Sequence, residues 1–227
     1  MDQPIVPVVM CTWKRIDRLP KTIEMLGQQK SCQPKLYLWN NCSEEAARVE
    51  EIAKNARNLH VRVKQSPQNI GGFGRFYWAR ELSEQSPLVV FIDDDEEFDE
   101  ETVGTFAREF ELKTLKGYWG FHLLGTSDYW DRSWVPAGKE ITYCGTGGMV
   151  ADSLIFREPG LYDCPEQYWF FDDLWLSYFA NYVMGWQMYK SQAELQIIDD
   201  DKNYGPGKEE AKSEFFRYLC SLGWKPA

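Results

Sequence analysis

Three consecutive carboxylates, Asp93-Asp94-Asp95, follow the apolar run Leu88 to Ile92, and a second acidic pair, Asp172-Asp173, follows the aromatic stretch Tyr168 to Phe171. Neighbouring carboxylates repel one another and resist unpaired burial, so a triplet at the end of a buried strand is well explained by a divalent cation. Mg2+ or Mn2+ would accept those hard oxygens and leave positions for diphosphate oxygens. A solvated acidic turn running on into Glu96-Glu97 is the competing account, and the strand-end position favours the cation. Taken alone, Asp172-Asp173 reads as the acidic first turn of a helix. A third segment, Asn69-Ile70-Gly71-Gly72-Phe73-Gly74, has glycines where a side chain would obstruct backbone approach, and it opens a helix whose amides favour an anion. It lacks the GxxxxGK[ST] form, and an ordinary glycine turn competes with a phosphate loop. Arg75 and Arg80 lie just beyond, as binding cations or as solvated charges on a surface helix.

The elements around these residues alternate. Ile5 to Thr12 is an apolar β-branched run, Leu19 to Gln29 carries Leu19, Ile23 and Leu26 at helical spacing, and Lys35 to Trp39 is a second strand cut off by Asn40-Asn41. Ser43 to Asn55 reads as a helix with Ser43 as its cap, Val61 to Val63 as a strand, Arg75 to Glu84 as a helix and Leu88 to Ile92 as a buried strand. Strands alternating with helices imply a mostly parallel sheet covered on both faces, an α/β nucleotide-binding unit. Ligands of such sheets sit outside the carboxyl ends of the strands, which would gather Thr12 to Arg15, Asn40-Asn41 and the aspartate triplet. After Asp99 the alternation is lost: a helix from Glu100 to Lys113 precedes irregular, strand-like and aromatic segments, and a last amphipathic helix covers Glu209 to Leu222. No repeat or linker marks a second domain, so residues 1–227 are expected to form one unit, with about 1–99 and 100–227 as its two halves.

Composition narrows the partners. The chain of 227 residues carries a formal net charge of -10, which argues against nucleic acid. Hydrophobic residues at 44% and charged residues at 26% are ordinary for a globular protein, whereas 15% aromatic residues with ten Trp is high. Core packing accounts for most such rings, and an exposed minority would form a platform for a flat ligand face. Asp2 and the early prolines interrupt any secretory pattern and no apolar stretch reaches membrane-spanning length, so no integral membrane segment is expected. The six scattered cysteines suit reduced thiols in a cytoplasmic setting, with room for peripheral membrane attachment.

In the order Val8 to Arg15, Asn69 to Phe76, Phe91 to Asp95 and Trp169 to Asp173, the chain resembles the family 2 glycosyltransferases of the GT-A fold, especially their galactofuranosyl- and rhamnosyl-transferase-like branch. The resemblance spans roughly residues 5 to 200. It implies a Rossmann-like sheet, mixed in its C-terminal half, and inverting transfer from a nucleotide-diphosphate sugar to a glycan or glycoconjugate, as in polysaccharide synthesis, with Mn2+ or Mg2+. UDP is the favoured nucleotide.

By that resemblance Asp93 and Asp95 are the outer residues of the DxD motif, Asp93 nearer the ribose and Asp95 on the metal, with Asp94 as the variable middle position. Thr12 and Arg15 line the nucleotide pocket, and Asn69, Gly72 and Arg75 belong to the segment closing over it. Asn40-Asn41 replaces the acidic residue that many relatives place after the second strand. Asp173 corresponds to the general base and Asp172 helps hold the acceptor; inversion needs a carboxylate by the acceptor hydroxyl, opposite the leaving diphosphate. The aromatic neighbourhood of the pair predicts a carboxyl pKa raised by desolvation. A later histidine often completes the metal site in relatives, but His60 and His122 come too early, which leaves Asp199 as the candidate, or a solvated acidic turn. Gly147 and Gly148 fall where small residues let an acceptor approach the backbone, and Trp130, Trp134 and Trp169 are acceptor-stacking candidates. Two other functions share parts of this pattern: a sugar-phosphate nucleotidyltransferase, which normally has a glycine-rich basic loop after its first strand that Cys11 to Arg15 lacks, and a non-catalytic carbohydrate- or nucleotide-binding module.

Overall fold

The computed structural model describes residues 3–198 and 207–226. Its strands are β1 (Ile5–Thr12), β2 (Gln33–Asn40), β3 (His60–Gln65), β4 (Leu88–Phe91), β5 (Glu96–Glu97), β6 (Thr114–Gly117), β7 (Gly120–Leu123), β8 (Arg132–Trp134), β9 (Tyr143–Cys144), β10 (Met149–Asp152), β11 (Gln187–Lys190) and β12 (Gln196–Ile197). The α-helices are α1 (Leu19–Gly27), α2 (Ala46–Asn55), α3 (Gly74–Leu82), α4 (Thr102–Arg108), α5 (Asp172–Tyr178) and α6 (Lys208–Ser221).

One seven-stranded sheet in the order β11-β6-β10-β4-β1-β2-β3 organises the molecule. β3, β2, β1 and β4 run parallel, β10 is antiparallel to β4 and β6, and β11 is parallel to β6. This is the expected α/β sheet, parallel in the first half and mixed in the second. Strand periodicity divides the core: Val6, Val8 and Met10 of β1 point to the face covered by α1, α2 and α4, while Val9 points to the face covered by α3, α5 and α6. Both faces are therefore apolar, which is why β1 and β4 read as continuous hydrophobic runs.

Two helices differ from the sequence reading. Ser43 starts a short 3-10 turn without a side-chain cap, and the α-helix begins at Ala46. The helix expected to reach Lys113 ends at Arg108, and Lys113 adopts a left-handed φ of 58° just before β6.

The topology determines what meets at the carboxyl edge. Because β10 is antiparallel, with Met149 opposite Phe91, the chain entering it brings Gly145 to Gly148 to the same edge as Asp93 to Asp95. Above that edge stands the small sheet β8-β7-β9, rich in aromatic residues. β12 pairs with β5, and Ile198 donates its amide to the Asp95 carbonyl at 2.9 Å. No helix among the described residues is long and apolar enough to cross a membrane.

Candidate active site

A cleft of about 510 Å³ opens at this edge, lined among others by Arg15, Gly72, Arg75, Asp93, Asp95, Gly147, Asp172 and Asp173. Arg75 joins its two acidic motifs. Its Nη2 donates to Asp93 Oδ1 at 2.7 Å, its Nη1 to the Thr146 carbonyl at 3.1 Å and its Nε to the Gly72 carbonyl at 3.1 Å, with Asp172 Oδ2 3.2 Å from Nε. Only 4% of Arg75 is exposed, because the first turn of α3 starts in the cleft floor rather than on the surface. Burial opposes its charge, but Asp93 and Asp172 prevail and hold the guanidinium protonated.

The aspartate triplet divides its side chains. Asp94 accepts from Thr12 Oγ1 at 2.8 Å and Arg15 Nη1 at 3.2 Å, so the buried Thr12 hydroxyl is directed to a carboxylate of its own chain. Asp95 faces Arg15 Nη2 at 3.5 Å. Burial and then the charge of Asp93 push the Asp95 carboxyl up to about 7, against the opposing pull of Arg15. Glu96 is not part of a solvated turn. It is 1% exposed, its Oε2 accepts the Asp93 amide at 2.8 Å, and its Oε1 is buried without a hydrogen-bond partner. A Cβ added at Gly147 would stand 2.6 Å from both Glu96 Oε1 and Asp93 Oδ2, so the two carboxylates converge on that glycine.

This cluster suits a divalent cation: it offers hard oxygens, one of them orphaned, and it is short of positive charge. Among the described residues no three His, Cys or acidic side chains group closely enough to hold a metal by themselves. Asp199, the candidate for completing the set, lies outside the described residues.

Asp172 and Asp173 begin α5 but reach different partners. Asp172 Oδ2 accepts from Thr146 Oγ1 at 3.0 Å, and burial with the nearby Asp173 and Asp93 charges pushes its carboxyl up to about 6 despite Arg75. Asp173 Oδ2 accepts from Lys212 Nζ at 2.6 Å and from the Tyr143 hydroxyl at 2.5 Å, and Oδ1 accepts the Leu174 amide at 2.6 Å. The predicted rise therefore holds for Asp172 and fails for Asp173. Burial does act to raise the Asp173 carboxyl, but the Lys212 ammonium and these hydrogen bonds outweigh it and leave the pKa below the usual carboxylate range.

The remaining candidates divide between the cleft lining and its surroundings. Asn40 is fully buried, donating to the Cys42 carbonyl at 2.8 Å and Gln65 Oε1 at 2.7 Å, which ties β2 to β3. Its neighbour Asn41 holds the glycine segment instead, through the Gly71 carbonyl at 2.9 Å and the Ile70 amide at 3.1 Å. Asn69 borders a second groove of about 580 Å³ together with Trp13, Lys14, Asp17, Asn41 and Arg48. Gly72 packs directly beneath Asp172, where an added Cβ would lie 2.1 Å from Oδ1. Gly148, with φ 64°, backs onto Leu195 rather than the cleft. Trp169 stacks on Phe73 at 5.3 Å and donates to the Cys164 carbonyl, so Phe170 faces the cleft in its place. Trp130 lines the cleft, whereas Trp134 packs against Phe121 at its margin.

Lys212, Tyr143, Thr146, Arg132 and Glu96 were not singled out by sequence. One signal existed for Lys212: it falls on the apolar stripe of α6 with Phe215, Phe216 and Leu219, where a lysine needs a buried partner.

Comparison with solved structures places this geometry in context. The mannosyltransferase PcManGT from Pyrobaculum calidifontis, solved with GDP-Man and Mn2+, matches with a TM-score of 0.66 at 10% identity, covering 99% of this chain and 66% of its own. GalNAc-T7, solved with UDP, GalNAc and Mn2+, matches with a TM-score of 0.71 at 10% identity, covering 98% of this chain and 48% of its own. TarS residues 1–349 from S. aureus, solved with UDP-GlcNAc, matches with a TM-score of 0.57 at 12% identity, covering 97% of this chain and 67% of its own. This chain thus spans about two thirds or less of the length of these proteins. No curated protein sequence matches it. At these identities the likeness establishes the fold, and the family follows from the sequence model for glycosyl transferase family 2, which matches residues 8–149: the chain belongs to that family.

Proposed function

We propose that this protein transfers a sugar from a nucleotide-diphosphate sugar, a UDP-sugar foremost, to a hydroxyl of a glycan or glycoconjugate, with inversion at the anomeric carbon. The observation that carries this reading is Arg75, which draws the strand-end Asp93 and the helix-start Asp172 into one cleft, at 2.7 and 3.2 Å. Structural neighbours solved with GDP-Man, UDP-GlcNAc or UDP support a nucleotide sugar as donor. Motif order supports the galactofuranosyl- and rhamnosyl-transferase-like branch.

Residues 1–99 would bind the donor, with the base in the groove beside Trp13 and Asn69, and residues 100–227 would bind the acceptor. Asp95 and Asp93, with Asp199 as the proposed third residue, would hold Mn2+ or Mg2+, which when bound supplies positive charge to the departing diphosphate. Arg15, at the same end of the cleft, adds a fixed cation. Asp173 acts at the other end as general base: it takes the hydroxyl proton while the acceptor oxygen attacks the anomeric carbon and the diphosphate leaves from the opposite side. Lys212 and Tyr143 keep Asp173 ionised and oriented, so the base is in its proton-accepting form at neutral pH. Asp172, anchored by Thr146 and Arg75, fixes the start of α5 and with it the placement of Asp173. Phe170, Trp130 and Gly147 form the acceptor walls. The six unpaired thiols suit a reducing, cytoplasmic setting.

A thermal-shift panel of nucleoside diphosphates and sugar nucleotides, with and without Mn2+, tests the donor half, since a ligand that binds only the native state raises its Tm. Donor hydrolysis then tests the chemistry. Full metal-dependent hydrolysis by Asp95→Ala would falsify the assignment of that residue, and a panel without any nucleotide-dependent shift would overturn the transferase reading.

A further inference from the structure

Arg132 is a cation built into the cleft wall that pairs with no acid among the described residues. Its guanidinium carbon lies 4.3 Å from the ring centre of Phe121, 4.8 Å from that of Tyr129 and 4.7 Å from that of Trp130, and Nη1 donates to the Tyr129 hydroxyl at 2.6 Å. Three other cations of the cleft face acids: Arg15 meets Asp94 and Asp95, Arg75 meets Asp93 and Asp172, and Lys212 meets Asp173. Among the described residues Arg132 has no carboxylate partner. Asp128, close by in sequence, is engaged by the Ser213 hydroxyl at 2.7 Å and the Trp130 amide at 3.1 Å. A guanidinium has five N–H donors in a planar fork, and rings satisfy its charge in part without accepting those bonds. In a chain of net charge -10, an unneutralised and preorganised fork facing a cleft is a local anion site.

Its position identifies the end of the cleft it serves. The ring of Tyr129 packs on that of Tyr143 at 5.3 Å, Tyr143 donates to Asp173, and the Lys212 ammonium lies 4.4 Å from the ring centre of Tyr129. Arg132 is thus linked to the Asp173 side of the cleft rather than to the side of Arg15 and Asp95.

We propose that Arg132 is an anion subsite for the acceptor, so that the acceptor is an acidic saccharide with an oxyanion, carboxylate or phosphate, close to the reacting hydroxyl. The proposal rests on the transferase reading for the direction of transfer. A fork of N–H donors matches two oxygens of either anion, and a neutral acceptor leaves the half-buried guanidinium without a counter-charge. Discrimination by such a site is large because a missing anion leaves it unpaired.

The test is binding of three probes, methyl β-glucuronide, methyl β-glucoside 6-phosphate and methyl β-glucoside, by NMR titration of the full chain. Titrations are run alone and with the nucleoside diphosphate that raises Tm most. Wild-type protein is expected to bind one or both anionic probes about tenfold or more tightly than the neutral one, a charge-assisted hydrogen bond's worth of affinity. Arg132→Gln is expected to abolish the preference while leaving the nucleotide-induced Tm shift intact, and Arg132→Lys to restore it in part. The stronger of the two anionic probes distinguishes carboxylate from phosphate. Equal affinity for charged and neutral probes, no binding of any of them, or a preference that survives Arg132→Gln overturns the subsite. Loss of the nucleotide shift in wild-type protein instead overturns the transferase reading, so the two failures are distinguishable.

Discussion

Lys212 places its ammonium nitrogen 2.6 Å from Asp173 Oδ2, and with 3% of the lysine side chain and 19% of the aspartate's exposed the ammonium is held away from water while the carboxylate borders the cleft. The contact ties the C-terminal helix α6 to the first turn of α5 and sets the charge state of the proposed base. Since the folded-state pKa of Asp173 is depressed, the pair's contribution to stability is present above the unfolded carboxylate value of about 3.9 and is lost as pH falls through the folded value. Lys212→Met should therefore cost about 3–5 kcal/mol at pH 7, the usual result of removing one partner of a buried pair. The difference from wild type should shrink below about pH 4 in urea unfolding. Asp173 then loses its main counter-charge, so the acidic limb of the pH profile of kcat/KM should move to higher pH. An unmoved limb would show that Lys212 does not control the base.

Arg75 is the second joint of the site, and its four contacts require a fork rather than a point charge. Arg75→Lys retains the charge but cannot reach Asp93, Asp172, Thr146 and Gly72 together. We expect Arg75→Lys to keep the fold with a loss of about 1–3 kcal/mol, and to lower kcat much more than it raises KM for the donor. Arg75→Met should be worse, because it leaves the buried Asp172 and the partly exposed Asp93 without their shared counter-charge. Steady-state kinetics with unfolding curves for both variants checks this, and wild-type kcat in Arg75→Lys would refute the joint.

The strand ends were legible in sequence because apolar runs bounded by polar residues report burial directly, and β1, β4 and the aspartate triplet fall where that rule puts them. The chemistry of Asp173 was not legible, because its partner Lys212 is 39 residues away on another helix and only the packed chain brings them together. Glu96 illustrates the same limit. In sequence it continues an acidic run, whereas in the fold β5 pairs with β12 and turns Glu96 inward, leaving Glu97 at the surface with Lys21 and Arg18. Trp169 and Phe170 show that periodicity in a short 3-10 segment does not reveal which ring of a run faces the cleft.

Gly72 makes the packing of the glycine segment testable. A methyl group there would sit 2.1 Å from Asp172 Oδ1, while Thr146 and Arg75 hold the other oxygen, Oδ2, so the carboxylate cannot simply swing aside. Gly72→Ala should cost about 1–3 kcal/mol by overpacking and reduce turnover about tenfold or more through displacement of α5. Gly125→Ala is the control: its Cβ meets no atom within 4 Å, although φ is 75°, so it reports backbone strain without a clash in the site. Equal turnover in the two variants would dissociate Gly72 from Asp172.

Glu96 supplies a prediction of opposite sign. Its carboxyl is pushed well above the usual value, first by burial and then by the charge of Asp93, and its folded-state pKa exceeds the unfolded one. Such a group favours folding below the unfolded value of about 4.3, and the advantage is lost as pH rises towards the folded value. In metal-free protein, stability should therefore decline with pH across that window, by about 1.4 kcal/mol per unit for each proton involved. Asp95, pushed up to about 7, contributes to the same slope. Glu96→Gln retains the shape and an oxygen for the Asp93 amide but cannot ionise, so it should flatten the decline by one proton and leave the variant more stable than wild type at pH 8. Mn2+ should stabilise wild type more than Glu96→Gln if the orphaned Oε1 contributes to the field at the cation. Denaturant unfolding of both proteins from pH 5 to 8, in chelator and in Mn2+, measures each effect, and parallel metal-free curves would mean that Glu96 is ionised throughout.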